Sequence, residues 1–94
     1  LISSKSNMTY KVTLKPLAEK QFAKLPKDIQ KRLFSAFLML ADNPRPHGSI
    51  KLQGNFDYHR VRVGDYRIVY SIDDQILKVL VLSLGHRRDI YDKL

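Results

Sequence analysis

The chain contains no cysteine. Disulfide frameworks and thiolate chemistry are therefore excluded, and the composition fits a reducing cytoplasm. No apolar run approaches the length of a membrane span, and Leu1 to Asn7 is polar, without the hydrophobic region of a signal peptide. The three histidines lack the helical spacing of a metal pair, and no Cys or Glu cluster accompanies them. Neither a metal nor another cofactor is expected. A phosphate-cradling glycine loop, internal repeats and low-complexity segments are missing as well.

Acidic residues are also scarce. Nine Asp and Glu stand against 17 Lys and Arg, for a formal charge of +8 and a pI near 9.9. Such an imbalance favours polyanionic partners: RNA, DNA, anionic lipid or an acidic protein. The basic residues are spread along the chain instead of forming a polybasic tail, so nucleic acid is preferred over a membrane.

What is present suits one domain. A length of 94 residues leaves room for a single core between two packed layers. With 44% hydrophobic and 10% aromatic residues the chain is globular, and 28% charged residues imply a heavily solvated surface. Met8 is the expected natural start, with the domain spanning 8–94 and residues 1–7 a cloning remnant or an upstream extension.

Tyr10 to Leu14 alternates apolar and polar residues and reads as a short strand. Pro16 suits the first turn of a helix, whose buried face is expected to hold Leu17, Ala18, Phe22 and Leu25. Pro26 interrupts it. A stronger helix starts at Lys27, where Ile29, Leu33, Phe37 and Leu40 recur every three or four residues and Phe34, Ala36, Leu38 and Ala41 broaden the stripe. Asp42-Asn43-Pro44-Arg45-Pro46 ends it, and a loop through His47, Gly48 and Gly54 follows.

Three strands are expected near residues 56–63, 66–73 and 76–84, joined at Gly64-Asp65 and Asp73-Asp74-Gln75 by hairpin-length turns. The last of them is apolar on both faces, as a central strand would be. The tail from Gly85 to Leu94 is charged and reads as a short helical turn or an irregular segment. The predicted fold is α+β with two layers, a helical hairpin packed on a mainly antiparallel four-stranded sheet, in the order strand, helix, helix, three-strand meander and short tail.

Arginines dominate the meander. Strand period two sets Arg60 and Arg62 on one face while Val61 and Val63 take the other. Arg67 comes from the neighbouring strand and Arg87 follows the last one, so the four can border one surface. Arginine binds phosphate through a planar fork of donors and stays charged at physiological pH. Two readings stand at this point: a solvated basic face, which surface arginines commonly form, and a phosphate-binding face. The nearly uniform sign of the hairpin's exposed positions counts against the first, because a solubilising face more often mixes charges.

The candidates for proton transfer are Tyr91, His86, His59 and His47. His59 alternates with Arg60 and is read as a structural residue on the helix side, whereas His86 adjoins Arg87 and is the better acid or base. Tyr91 either anchors the tail through its ring or places its hydroxyl near the arginines. Tyr58 and Tyr70 read as packing, and Asp73 and Asp74 as turn residues.

Lys51-Leu52-Gln53-Gly54, Tyr58-His59-Arg60-Val61-Arg62, Gly64-Asp65-Tyr66-Arg67-Ile68-Val69-Tyr70 and Gly85-His86-Arg87-Arg88-Asp89-Ile90-Tyr91 together resemble the RelE branch of the RelE/ParE toxin superfamily. The resemblance covers nearly everything from Met8 onward. It implies a metal-independent mRNA interferase of a toxin–antitoxin pair, an endoribonuclease that enters the ribosomal A site and cuts mRNA. Carried over by motif, Arg60 and Arg62 hold the RNA backbone, and Lys51 and Arg88 join them. Arg67 and Arg87 stabilise the transition state, and Tyr91 positions or activates the substrate. The implied partners are the ribosome, mRNA and a small acidic antitoxin on the basic face.

This sequence departs from the family at one point. Well-known RelE toxins carry lysines where it has Arg60 and Arg62, and arginine cannot readily give up a proton. The role of general base therefore passes to Tyr91 or His86. The expected step is attack of a 2′-hydroxyl on the adjacent phosphate to leave a 2′,3′-cyclic phosphate. The alternatives are a ParE-like gyrase inhibitor without nuclease activity and an inactive relative that only binds RNA or DNA.

Overall fold

The computed structural model describes residues 9–52 and 58–86. Strand β1 (Lys11–Leu14) leads into helices α1 (Pro16–Ala23) and α2 (Lys27–Asp42), followed by strands β2 (Ile50–Lys51), β3 (Tyr58–Val63), β4 (Tyr66–Asp73) and β5 (Lys78–His86). Prolines punctuate the helical half. Pro16 opens α1, where its missing N–H has no helical partner to lose. Pro26, with φ −59°, caps the start of α2. Asn43 is extended, at φ −147° and ψ 100°, because Pro44 disfavours the helical region in the residue before it.

The helices cover one face of the sheet. Ala18 from α1 and Leu33, Ala36, Phe37 and Leu40 from α2 pack against Ile68, Tyr70, Ile72, Val79, Val81 and Leu84. The expected stripes are broader than the real ones. Leu17, Phe34 and Leu38 are exposed, since a helix packed on one face of a sheet buries only the stripe turned toward it. No helix among the described residues is long and apolar enough to cross a membrane.

The sheet has five strands in the order β1-β5-β4-β3-β2, with β1 parallel to β5 and the remaining pairs antiparallel. The expected count of four is corrected by β2. Ile50 pairs with Arg60 and Lys51 with His59, in a stretch read from sequence as loop. Two residues are too few to show alternation, so only the pairing with β3 defines them. This extra edge strand also moves the centre of the sheet to β4. Strand β5 is interior, between β1 and β4, which suits its apolar character.

Strand β5 starts two residues later than expected. Asp73 Oδ1 accepts the N–H groups of Gln75 and Ile76 at 3.0 and 3.4 Å, and Leu77 takes a positive φ of 52°. The aspartate thus builds the turn that absorbs Ile76 and Leu77. At its other end β5 runs on through Gly85 and His86, which the sequence had assigned to the tail. Strand β1 stops earlier, and Gln21 of α1 accepts the Leu84 N–H at 2.8 Å beyond it.

One irregularity decides which way β5 presents its last residues. Val69 pairs with Ser83 but Tyr70 pairs with Val81, so Leu82 is an extra residue in the ladder. Before this bulge Val79 and Val81 face the helices; after it Leu84 does. Strict alternation would have turned Ser83 inward instead.

Candidate functional site

Strands β3 and β4 bring three of the anticipated arginines together. Arg62 lies directly opposite Arg67, and Arg60 opposite Val69, diagonal to Arg67. Their partners in alternation, Val61, Val63 and Tyr66, pack on the core. The arginines therefore occupy the face turned away from the helices. Arg67 is buried, at 7% exposure, while Arg62 is exposed and Arg60 half-buried. All three line a cavity of about 420 Å³ together with His47, Gly48 and Ile50.

The loop after α2 closes the far side of this cavity. Tyr70 reaches from the core and donates its hydroxyl to the Pro44 carbonyl at 2.7 Å, and its burial pushes the phenol pKa up. The Ser49 N–H bonds to the Pro46 carbonyl at 3.0 Å, forming a turn in which Gly48 takes φ 96°, a conformation that suits glycine. Ile50 then enters β2 opposite Arg60. His47 is thus held at the cavity between two fixed points of backbone. It is one of the four candidates for proton transfer that the sequence offers, although Tyr91 and His86 are the ones preferred there as the base.

Other anticipated residues lie elsewhere. His86 pairs with Tyr66 and meets its ring edge-on, centroids 5.7 Å apart. Tyr66 belongs to the helix-side face, so the register sets His86 there, whereas Gly85 is the residue opposite Arg67. The bulge in β5 is the cause: an uninterrupted alternation would have carried His86 to the arginine face. Lys51 pairs with His59, and Ile50 takes the position on the cavity side. His59 is buried and stacks on Tyr70 at 5.7 Å, in keeping with its structural reading. Arg87, Arg88 and Tyr91 lie outside the described residues.

A second polar cluster braces the loop from outside. Arg45 grips Asp74 with two hydrogen bonds of 3.2 and 2.9 Å, and the Tyr10 hydroxyl donates to the same carboxylate at 2.6 Å. The Arg45 bonds, and then the Tyr10 bond, hold the Asp74 pKa below the ordinary carboxylate value, while bonding to Asp74 raises that of Tyr10. The cluster is exposed and joins the β4–β5 turn to the chain on either side of the helical hairpin. Its role is structural, because its one basic side chain is occupied by a carboxylate.

The face can therefore bind and neutralise an anion with multiple oxygens, and it carries an imidazole at the same cavity. Comparison with known proteins identifies the family. The model of a family described as the ParE toxin of the type II toxin–antitoxin system parDE matches residues 12–91. A putative RelE-like toxin protein of Escherichia coli is 33% identical over 89 residues, covering 90% of this chain and 93% of that protein. Toxin RelG of Mycobacterium tuberculosis is 35% identical over 88 residues, covering 89% of this chain and 98% of that one. In the solved RelE–RelB complex of the archaeon Pyrococcus horikoshii OT3, one chain matches at a TM-score of 0.75 and 32% identity, covering 84% of this chain and 96% of that one. The matches run through the helical hairpin and the arginine-bearing strands, and the chain belongs to the RelE/ParE toxin superfamily of type II toxin–antitoxin systems, as a RelE-like toxin.

Proposed function

We propose that this toxin is an mRNA interferase, a ribosome-dependent and metal-independent endoribonuclease that inhibits translation by cutting mRNA. The observation that carries the reading is the cavity bordered by Arg60, Arg62 and the buried Arg67. Like charges directly across a strand pair are unfavourable in themselves. A phosphate between Arg62 and Arg67 reverses that sign, and the effect grows as charge accumulates on the phosphoryl oxygens.

In the proposed reaction a 2′-hydroxyl attacks the adjacent phosphorus, the 5′-oxygen departs, and a 2′,3′-cyclic phosphate remains. Arg67, with Arg87, holds the oxygens that gain charge. Arg60 and Arg62, with Arg88, bind the RNA backbone, and Tyr91 positions the substrate; Lys51, on the other face of β2, is left out of this set. Of these, the roles of Arg87, Arg88 and Tyr91 rest on the family resemblance. Several solved relatives are toxin–antitoxin complexes, among them the RelE–RelB pair of Pyrococcus horikoshii and RelBE2 of Mycobacterium tuberculosis. A small acidic antitoxin is accordingly the proposed partner, drawn by the +8 charge.

The test is primer extension on mRNA carried by translating ribosomes, with purified toxin freed of antitoxin. Discrete cuts are expected. Intact mRNA in the presence of folded toxin refutes the reading, and unchanged cutting by both Arg87→Ala and Tyr91→Ala refutes those two assignments. The ParE description of the matched family favours a second reading, gyrase inhibition by binding. A DNA supercoiling assay run beside the cleavage assay separates the two.

A further inference from the structure

Cleavage through a 2′-hydroxyl needs a group that takes its proton, and the three arginines at the cavity cannot do so at neutral pH. Gly48 and Ile50, which also line it, have no ionisable side chain. Among the described residues that line the cavity, His47 alone carries a side chain suited to accept a proton. His86 stands on the other face of the sheet, against Tyr66.

We propose that His47 is the general base of this toxin, taking the proton from the attacking 2′-hydroxyl. The assignment rests on the mRNA interferase reading and adds a residue to it. The loop around His47 is held in place: Pro44 is bonded to Tyr70 on one side, and on the other the Pro46–Ser49 turn leads into the pairing of Ile50 with Arg60. The imidazole is exposed at the cavity and so open to substrate.

In the step itself, the neutral imidazole takes the 2′-hydroxyl proton as the O2′–P bond forms. The P–O5′ bond breaks with its electron pair going to the 5′-oxygen, which receives a proton from water, and the hydroxide so formed is neutralised by the proton that His47 releases as it returns to the neutral imidazole. Arg60, Arg62 and Arg67 face the same space and offset the charge on the phosphate. Of the other described basic residues near this loop in sequence, Arg45 is engaged with Asp74, and Lys51 lies on the opposite side of β2. A base of this kind contributes typically about 10²–10⁴-fold in rate.

The experiment compares wild-type toxin with His47→Gln and His47→Ala in single-turnover cutting of mRNA on programmed ribosomes, across pH 5–8, with ribosome binding measured in parallel. His47→Gln is expected to cut ~100-fold more slowly or worse, in line with loss of a general base, with binding unchanged. The wild-type rate should rise with pH along a limb that the Gln variant lacks, and added imidazole should restore part of the rate to His47→Ala. Wild-type cutting and pH dependence in His47→Gln would overturn the proposal, as would a loss explained fully by weaker binding. Thermal melts of both variants establish that they are folded, which the exposed position of His47 favours. A folded wild type that cuts nothing refutes the mRNA interferase reading, and the role of His47 falls with it.

Discussion

On the helix side of the sheet, His59 stacks on Tyr70, the Tyr70 hydroxyl meets the Pro44 carbonyl, and Ile68, Val79 and Leu84 are fully buried. On the other side of the same strands, Arg62 faces Arg67 across the ladder, and Arg67 is buried at the cavity that both share with Arg60. The first face lowers the free energy of the folded chain through apolar burial and satisfied polar groups. The second sets two like charges directly opposite one another, a pairing that a sheet does not favour for its own stability. Three guanidinium groups gathered around one cavity are better explained by what binds there.

The contrast can be broken most directly at Arg67. Arg67→Ala should lower the cutting rate by ~10²–10³, the effect of removing one preorganised transition-state donor. Single-turnover cleavage per folded molecule measures it, and a rate near wild type would mean that this face is merely basic surface. The complementary change is Leu33→Ala, at a fully buried site under α2. It should cost about 2–5 kcal/mol in urea unfolding and leave the cutting rate of the folded fraction unaltered. A parallel fall in both quantities would show that the faces are coupled.

Smaller effects sharpen the division further. Arg62→Ala removes an exposed backbone contact, so affinity for RNA should weaken and its salt dependence should flatten by about one phosphate contact. Titration of binding against salt checks this. The smallest effect belongs to Asp74, whose folded pKa is lowered by Arg45 and Tyr10. A lowered carboxylate pKa contributes stability above its unfolded value, and that contribution is lost as pH falls through the folded value. Asp74→Asn should therefore reduce the acid sensitivity of the melting temperature while leaving its course at neutral pH nearly flat. An acid limb identical to wild type would show that the cluster carries no net stabilisation.

Much of the architecture was legible in the residues. Pro16, Pro26 and Pro44 bound the helices, and the alternation in Tyr58–Val63 assigns Arg60 and Arg62 to one side with Val61 and Val63 on the other. Three features were not. Strand β2 is too short to leave a periodic signature, and the start of β5 was hidden because Ile76 and Leu77 look like strand residues while Asp73 folds them into a turn. The side taken by His86 depends on a bulge at Leu82, whose own residue type gives no warning of it.

What the sequence determined by itself is chemical. Its charge, its lack of cysteine and its arginine-bearing strands specify a basic face on a two-layer domain, since these depend on residue type and local period. Only the tertiary structure decided which histidine shares that face. One extra residue in β5 turns His86 toward Tyr66, while the turn after α2, tied to Tyr70 and continued by β2, brings His47 to the arginines. Register and loop anchoring are relations between segments distant in sequence, and a single inserted residue reverses every side chain beyond it.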